Sequence, residues 1–477
     1  MTAGRHRLHR FFAGALGLAS TMLAGAGALS PVEAAPYEIE QVLYSFCAQN
    51  GCPDGSAPAG PLVTDGSGNL YGTTSSGGTG FGDYGTVFEL TPGVGGWTEK
   101  VIYNFCSIGA CVDGAFPVSG LTMDAAGNLY GAAAGGTGNG GIVFELTPNQ
   151  AHTAWTETVL YNFCSQSGCA DGKYPNGGLI LGQDGSLYGT TQEGGTGYGG
   201  DYGTAYRLTP NQAHTAWTEA VLYNFCSQSS QSYLCTDGGS PLDGLTADAA
   251  GNLYGTTDTG GTTQSGSYPG GTVFELVPNQ QKTAWTHTVL YNFCTLASCL
   301  DGQSPQSGLI IDSGGRLYGT TYAGGSASSG TVFAVKPNQG SATEMVLYSF
   351  CSQANCNDGI SPSGRVAMDS VGNLYGATGR GGSGSGGVAY ELIPNQMRTS
   401  WRETVLYAFC SQSNCIDGST AQGGLLLDKT GSLYGITNSG GAHGDGAAFA
   451  VRPGVVLVHP PVSDMTVAAP ATSALSR

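Results

Sequence analysis

Val159-Leu160-Tyr161-Asn162-Phe163-Cys164 is followed, after four further residues, by Cys169-Ala170-Asp171-Gly172. The arrangement returns with Cys47 and Cys52, Cys106 and Cys111, Cys226 and Cys235, Cys294 and Cys299, Cys351 and Cys356, and Cys410 and Cys415, so seven pairs use all 14 cysteines. In every copy an Asp-Gly follows the second cysteine by one residue: Asp54, Asp113, Asp171, Asp237, Asp301, Asp358 and Asp417. The first cysteines lie 59, 58, 62, 68, 57 and 59 residues apart. A period near 60 is longer than a helical-hairpin repeat and suits four strands with their loops. A feature present seven times builds the molecule more readily than it performs its chemistry.

Working outward, four segments recur in each period. Gly120-Leu121-Thr122-Met123-Asp124 is the first, and Asn128-Leu129-Tyr130-Gly131 the second. Gly85-Thr86-Val87-Phe88-Glu89-Leu90 is the third, and Trp155 to Phe163, running into the cysteines, the fourth. Each is short, rich in β-branched and aromatic residues, and bounded by Gly, Pro, Asn or Asp, which reads as strand. The Asp-x-x-Gly-Asn element reads as a tight hairpin turn between the first two strands. No segment keeps helical periodicity, so the expected class is all-β.

The fourth strand first appears at Gln41 to Phe46, before any complete repeat, and the chain ends on a third strand, Gly446 to Val451. This offset predicts a seven-bladed β-propeller of four-stranded antiparallel blades over residues 36–453, with the N-terminal strand completing the last blade. Such closure removes exposed edges. An open β-solenoid is the alternative, and it needs no offset. In a propeller, the cysteine loops and the loops between the second and third strands share one face, the crossover face. The Asp-x-x-Gly hairpins occupy the other.

Gly-Leu-x-x-Asp-x-x-Gly-Asn-Leu-Tyr-Gly-Thr-Thr-x-x-Gly-Gly followed by Gly-Thr-Val-Phe-Glu-Leu resembles the GloVer tandem repeat of bacterial exported "choice-of-anchor" proteins, over nearly all of residues 38–453. It is similar, more loosely, to NHL-type propeller repeats. The resemblance implies a surface or secreted protein of undetermined biochemical role. Gly454 to Arg477 holds only a short apolar run, Val455 to Val458, far from the ~20 apolar residues of a membrane span. That segment is expected to be a disordered tail.

Arg5, Arg7 and Arg10, the apolar run Phe11 to Leu29 and the small residues Ala34 and Ala35 read as a signal peptide over residues 1–35. An uncleaved anchor is the rival. Export, to the cell surface, the periplasm or the medium, favours disulfides for the cysteine pairs. Zinc is the other reading, but each pair stands alone in its period without a nearby histidine.

With 16 Lys plus Arg against 33 Asp plus Glu the net charge is −17, which leaves no footprint for nucleic acid. Only 10% of residues are charged and 81 are glycine. This points to a weakly charged, turn-rich surface open to a neutral partner such as a glycan.

No cofactor, no metal and a monomeric state are expected. The Asp-Gly carboxylates could ligate calcium, but one carboxylate per loop is a poor site and an Asp bonding its own turn explains the position. The histidines His152, His214, His287, His443 and His459 do not converge by position, and the inner strands carry hardly an ionisable side chain. Five Trp residues (Trp97, Trp155, Trp217, Trp285, Trp401) open the fourth strand and read as inter-blade packing.

What differs between blades is more informative. Asp83, Tyr84, Tyr198, Asp201, Tyr202, Tyr233, Tyr268, Arg365, Arg380, His443 and Asp445 depart from the repeat on or near the crossover face. Tyrosines with carboxylate or amide neighbours suit sugars, offering a ring for stacking and acceptors for hydroxyls. The first functional reading is therefore a binding or scaffold module contacting an extracellular ligand, with a glycan as the class favoured. The alternatives are a glycan lyase or hydrolase using the same face, and a purely structural envelope protein.

Overall fold

In a computed structural model the chain is described over residues 37–228, 235–262, 270–338 and 341–453. The expected signal peptide and tail lie outside these residues, as do Tyr233 and Tyr268. The described residues form seven four-stranded antiparallel sheets, each a blade. The third blade is representative, with Ile180–Leu181 innermost, then Leu187–Thr191, Thr204–Pro210 and, outermost, Trp217–Asn224.

Burial follows strand position. Leu187–Thr191 is buried at every residue because both of its faces meet a neighbouring blade. Trp155–Asn162, the outermost strand of the second blade, begins by alternating half-buried and exposed residues, as a strand wetted on one face should. Each core cluster spans two adjacent blades. One joins Tyr71 and Val87 of the first blade to Leu129, Phe144 and Leu146 of the second.

The offset strand closes the ring. Tyr37–Ser45 pairs antiparallel with Ala447–Pro453, Gln41 opposite Ala450 and Val42 opposite Phe449, and becomes the outermost strand of the seventh blade. Two aromatic series run through the closing junction as through the others. The Phe at the end of each outer strand meets a ring of the next blade, and Phe46–Phe88, at 4.9 Å, spans the junction of seventh and first blades just as Phe105–Phe144, at 5.1 Å, spans first and second. Each Trp meets the Leu-Tyr-Gly tyrosine of the preceding blade, with Trp155 on Tyr71 at 5.9 Å and Trp97 on Tyr434, across the closure, at 6.1 Å.

The cysteines pair within each loop, as export led us to expect. Cys47 is bonded to Cys52, Cys106 to Cys111, Cys164 to Cys169 and Cys226 to Cys235. Cys294 is bonded to Cys299, Cys351 to Cys356 and Cys410 to Cys415, so none of the cysteines is free. The zinc reading fails for the same reason, since a sulfur held in a disulfide is not a thiolate ligand. This set suits an oxidising, extracytoplasmic environment. The Asp-Gly carboxylates organise the same loops. Asp171 is fully buried and accepts from the Tyr161 hydroxyl (2.9 Å), the Ser165 amide (2.9 Å), the Ser165 hydroxyl (2.8 Å) and the Gln166 amide (3.2 Å). The turn-bonding role expected of these residues is thus realised, with the outer-strand tyrosine as an added donor. Among the described residues no helix is long and apolar enough to cross a membrane.

Candidate functional site

The axis of the disc is where the repeat is least faithful. The innermost strand is nine residues long in the first, sixth and seventh blades, for example Ser56–Thr64. In the other four it is two residues plus, further toward the crossover face, an isolated bridge such as Lys173–Glu193. Glycines permit the inner backbones to crowd together: a side chain on Gly423 (φ 82°) would strike the backbone of Gly60 at 2.5 Å. The result is a funnel that opens on the crossover face, with a volume of about 380 Å³.

Two register positions supply most of the polar side chains of its wall. The residue after the Leu-Tyr-Gly strand core supplies Ser75, Tyr322 and Asn438, and the segment that leads to or begins the inner strand supplies Asn176, Gln306 and Gln422. Asn176 donates to the Gln192 side chain at 2.6 Å, and Gln306 donates to Asp258 at 3.1 Å. Burial raises the Asp258 carboxyl above its ordinary range, against the pull of the Gln306 and Ser304 hydrogen bonds. Tyr322 is 38% exposed, so its ring is open to solvent at the mouth.

Two ionisable side chains from the innermost segments converge at the neck. Asp243 of the fourth blade accepts from the Gly244 and Gly308 amides, both at 2.6 Å. Arg365 of the sixth blade reaches across the axis to the Leu245 carbonyl at 3.4 Å. Both line a smaller cavity of about 140 Å³ below the funnel, and both close on Gly308, which has no side chain to obstruct them. Because each Asp243 oxygen is held by a main-chain amide, this carboxylate is better suited to rigidity than to proton transfer.

The other expected site residues are distributed around the disc. Tyr84 packs its ring on Phe116 of the next blade at 5.2 Å, and its carbonyl accepts the Phe116 amide at 2.8 Å. Tyr202 and Asp445 hold the equivalent places, their carbonyls accepting the amides of Ser240 (2.8 Å) and Ala57 (2.9 Å), so this position ties blades together. Asp445 also lies against the Cys47–Cys52 disulfide, whose sulfurs are bonded to each other and offer no thiolate to a metal. Tyr198 is 53% exposed, Asp83, Asp201, Arg380 and His443 are exposed, and Asp201 accepts from the Gly194 amide at 3.2 Å. Among the described residues no hydrogen bond joins any two of Asp83, Asp201 and Asp445. The structure brings Arg365 to the axis and leaves the other described ones apart around the disc.

The sequence profile of the Gloeobacter/Verrucomicrobia repeat matches residues 19–267 and 260–470. The chain belongs to that repeat family. No curated protein matches it in sequence. Solved structures with a similar fold include a protein of Bacteroides uniformis provisionally described as a 6-phosphogluconolactonase. It is 13% identical, with 76% of this chain and 86% of that chain covered and a TM-score of 0.47. Another, from Thermus thermophilus, is provisionally described as an oxidoreductase (glucose dehydrogenase). It is 14% identical, with coverage of 69% and 94% and a TM-score of 0.39. At these values neither carries an activity over to a member of the Gloeobacter/Verrucomicrobia repeat family.

The funnel amides escaped sequence reasoning because they sit at positions that vary without pattern. Their signal was present, since the residue after Leu-Tyr-Gly-x-x is Ser75, Ala134, Gln192, Asp258, Tyr322, Gly379 or Asn438 in the seven blades. Asp243 replaces a small residue in the same way.

Proposed function

We propose that this repeat-family propeller is exported through a cleaved signal peptide and binds a neutral polyhydroxylated ligand, the end of a glycan chain, at the crossover-face funnel. The observation that carries the reading is the set of amides in the wall: Asn176, held by Gln192 behind it, Gln306, Gln422 and Asn438 converge on one opening beside an exposed tyrosine ring. A side-chain amide donates and accepts at once, as a sugar hydroxyl does, and a tyrosine face accepts the apolar face of a sugar ring. The rim residues Tyr198, Asp83, Asp201 and Arg380 extend the same face and would contact a longer chain. With Asp243 bound to two amides and Asp258 to Gln306, the funnel is equipped for recognition more than for hydrolysis.

Glycan-array binding tests this. Loss of binding in Asn176→Ala plus Gln422→Ala, with binding kept in Tyr198→Ala, is the expected outcome. The reverse pattern would transfer the site to the rim loops. Turnover of a polysaccharide, abolished by one Asp substitution, would replace binding by catalysis.

A further inference from the structure

The hairpin face carries a second irregularity, away from the funnel. In the first, second, fourth and sixth blades the hairpin ends on an asparagine, and a glutamate of the third strand stands opposite the Leu-Tyr-Gly tyrosine and accepts its hydroxyl. The second blade, with Asn128, Glu145 and, two residues on, Thr147, is typical. The fifth blade changes all three places at once, to Arg316, Ala334 and Lys336. Glu145 gives the three places a charge of −1 in the second blade, whereas Arg316 and Lys336 give them +2 in the fifth, in a chain whose net charge is −17. No other blade sets two cations there.

The pairing of Leu317 with Val335 and of Tyr318 with Ala334 brings Arg316 beside Lys336 on adjoining strands. Like charges placed opposite each other across a sheet are destabilising. The carboxylate of the same hairpin is already engaged. Asp312 accepts from the Gly314 amide (2.8 Å), the Arg316 amide (2.9 Å) and the Tyr318 hydroxyl (3.0 Å), and it pairs with Arg398 of the sixth blade at 3.5 Å. The Lys336 ammonium donates to the Gly314 carbonyl. Among the described residues no ion pair and no side-chain hydrogen bond takes up the Arg316 guanidinium, and none of its nitrogens is shut off from solvent.

A cavity of about 480 Å³ lies at this place, with Arg316, half-buried, and Lys336, exposed, in its lining. Ala334 leaves the room that the glutamate fills in other blades, Met345 opposite it and Pro337 supply an apolar side, and none of the lining residues is acidic. We infer that this cavity of the fifth blade binds an organic phosphate or sulfate ester, its oxygens held between Arg316 and Lys336 and its carbon chain against Pro337 and Met345. A guanidinium fork beside an ammonium matches the several acceptor oxygens of such a group, and the anion would relieve the repulsion between the two cations. The cavity lies on the face away from the funnel, so neither site depends on the other.

The test is calorimetric titration of the whole oxidised protein at low ionic strength with butyl phosphate and butyl sulfate, beside inorganic phosphate, inorganic sulfate and butanol. At least one ester is expected to bind, the tighter of the two naming the ester the site prefers, with its inorganic ion and butanol weaker by about tenfold or more. Arg316→Asn and Lys336→Thr install the residues of the second blade, so the fold should hold by circular dichroism, and each should weaken the ester about tenfold, as loss of a hydrogen bond to a charged group does. Ala334→Glu restores the carboxylate of the other blades and should abolish binding. Lys429→Thr removes an exposed cation from the hairpin of the seventh blade and should leave binding unchanged. The inference is overturned if neither ester binds, if an inorganic ion or butanol binds as tightly as the esters, if Arg316→Asn and Lys336→Thr leave the affinity intact, or if Lys429→Thr weakens it equally.

Discussion

The outer ring of the disc and its axis are built from the same seven repeats and obey opposite rules. At the outer ring each disulfide loop, aspartate and outer-strand tyrosine repeats one set of contacts from blade to blade. At the axis hardly any two blades present the same side chain. The outer ring bears the load of holding blades in register, so a change in one copy leaves a defect between two neighbours. The axial positions face open space and are free to diverge. Repetition is thus strictest where blades bear on one another and loosest where they face the axis.

The largest expected effect concerns the outer ring as a whole. In six blades the outer-strand glutamate lies beside the aspartate of the preceding crossover, in the pairs Glu99–Asp54, Glu157–Asp113, Glu219–Asp171, Glu344–Asp301, Glu403–Asp358 and Glu40–Asp417. Burial first, and the neighbouring carboxylate second, push Glu99 and Glu344 up to about 8 and the other four to about 7. The folded state therefore holds protons between pH 4.5 and 8 that the unfolded chain has released, and stability falls as pH rises through that window. His287, which replaces the glutamate in the fourth blade and stacks on Tyr223 at 4.1 Å, is held down to about 4 by burial and opposes the trend between pH 4 and 6.5. Six groups outweigh one. The melting temperature should be higher at pH 5 than at pH 8, and Glu157→Gln should flatten the slope. A melting temperature that climbs from pH 5 to pH 8 would break the picture of a uniform outer ring.

A smaller contrast sets single residues of the two regions against each other. Asp171→Ala strips an acceptor from Tyr161, Ser165 and Gln166 and should cost about 3 kcal/mol in urea unfolding. Asn176→Ala, at the axis, should change stability by about 0.5 kcal/mol or less. Equal losses would show that the axis is as structural as the outer ring.

The smallest effect sharpens the comparison within the core. Five blades place phenylalanine (Phe88, Phe144, Phe274, Phe333, Phe449) where the third and sixth have Tyr206 and Tyr390, whose buried hydroxyls have no partner. Tyr206→Phe should stabilise the protein by about 1 kcal/mol, read as a raised urea midpoint. Destabilisation would mean that the hydroxyl has a role the other five blades lack.

The sequence carried the scaffold openly, because a disulfide loop and its Asp-Gly are local features whose spacing survives in the linear order. The offset of the first strand even announced how the ring shuts. The funnel was illegible for the opposite reason: Asp243 and Arg365 approach Gly308 from blades two apart in the ring, and no spacing in the chain encodes that meeting. The carboxyl pairs were hidden likewise, since Glu99 and Asp54 become neighbours only when two blades dock. Tyr84, Tyr202 and Asp445 stood out as departures from the repeat, yet the contacts seen for their carbonyls use the main chain, which any residue supplies.

The Ala442 amide bonds the Ser45 hydroxyl across 397 positions of chain, within the junction that joins the two ends of the disc. A polypeptide emerging from its N-terminus must therefore keep its earliest strand unpartnered until its latest one is made. Chains stopped short at any blade keep a raw edge open to proteolysis or to a strand from another molecule. Completion of the last strand is what buries that edge.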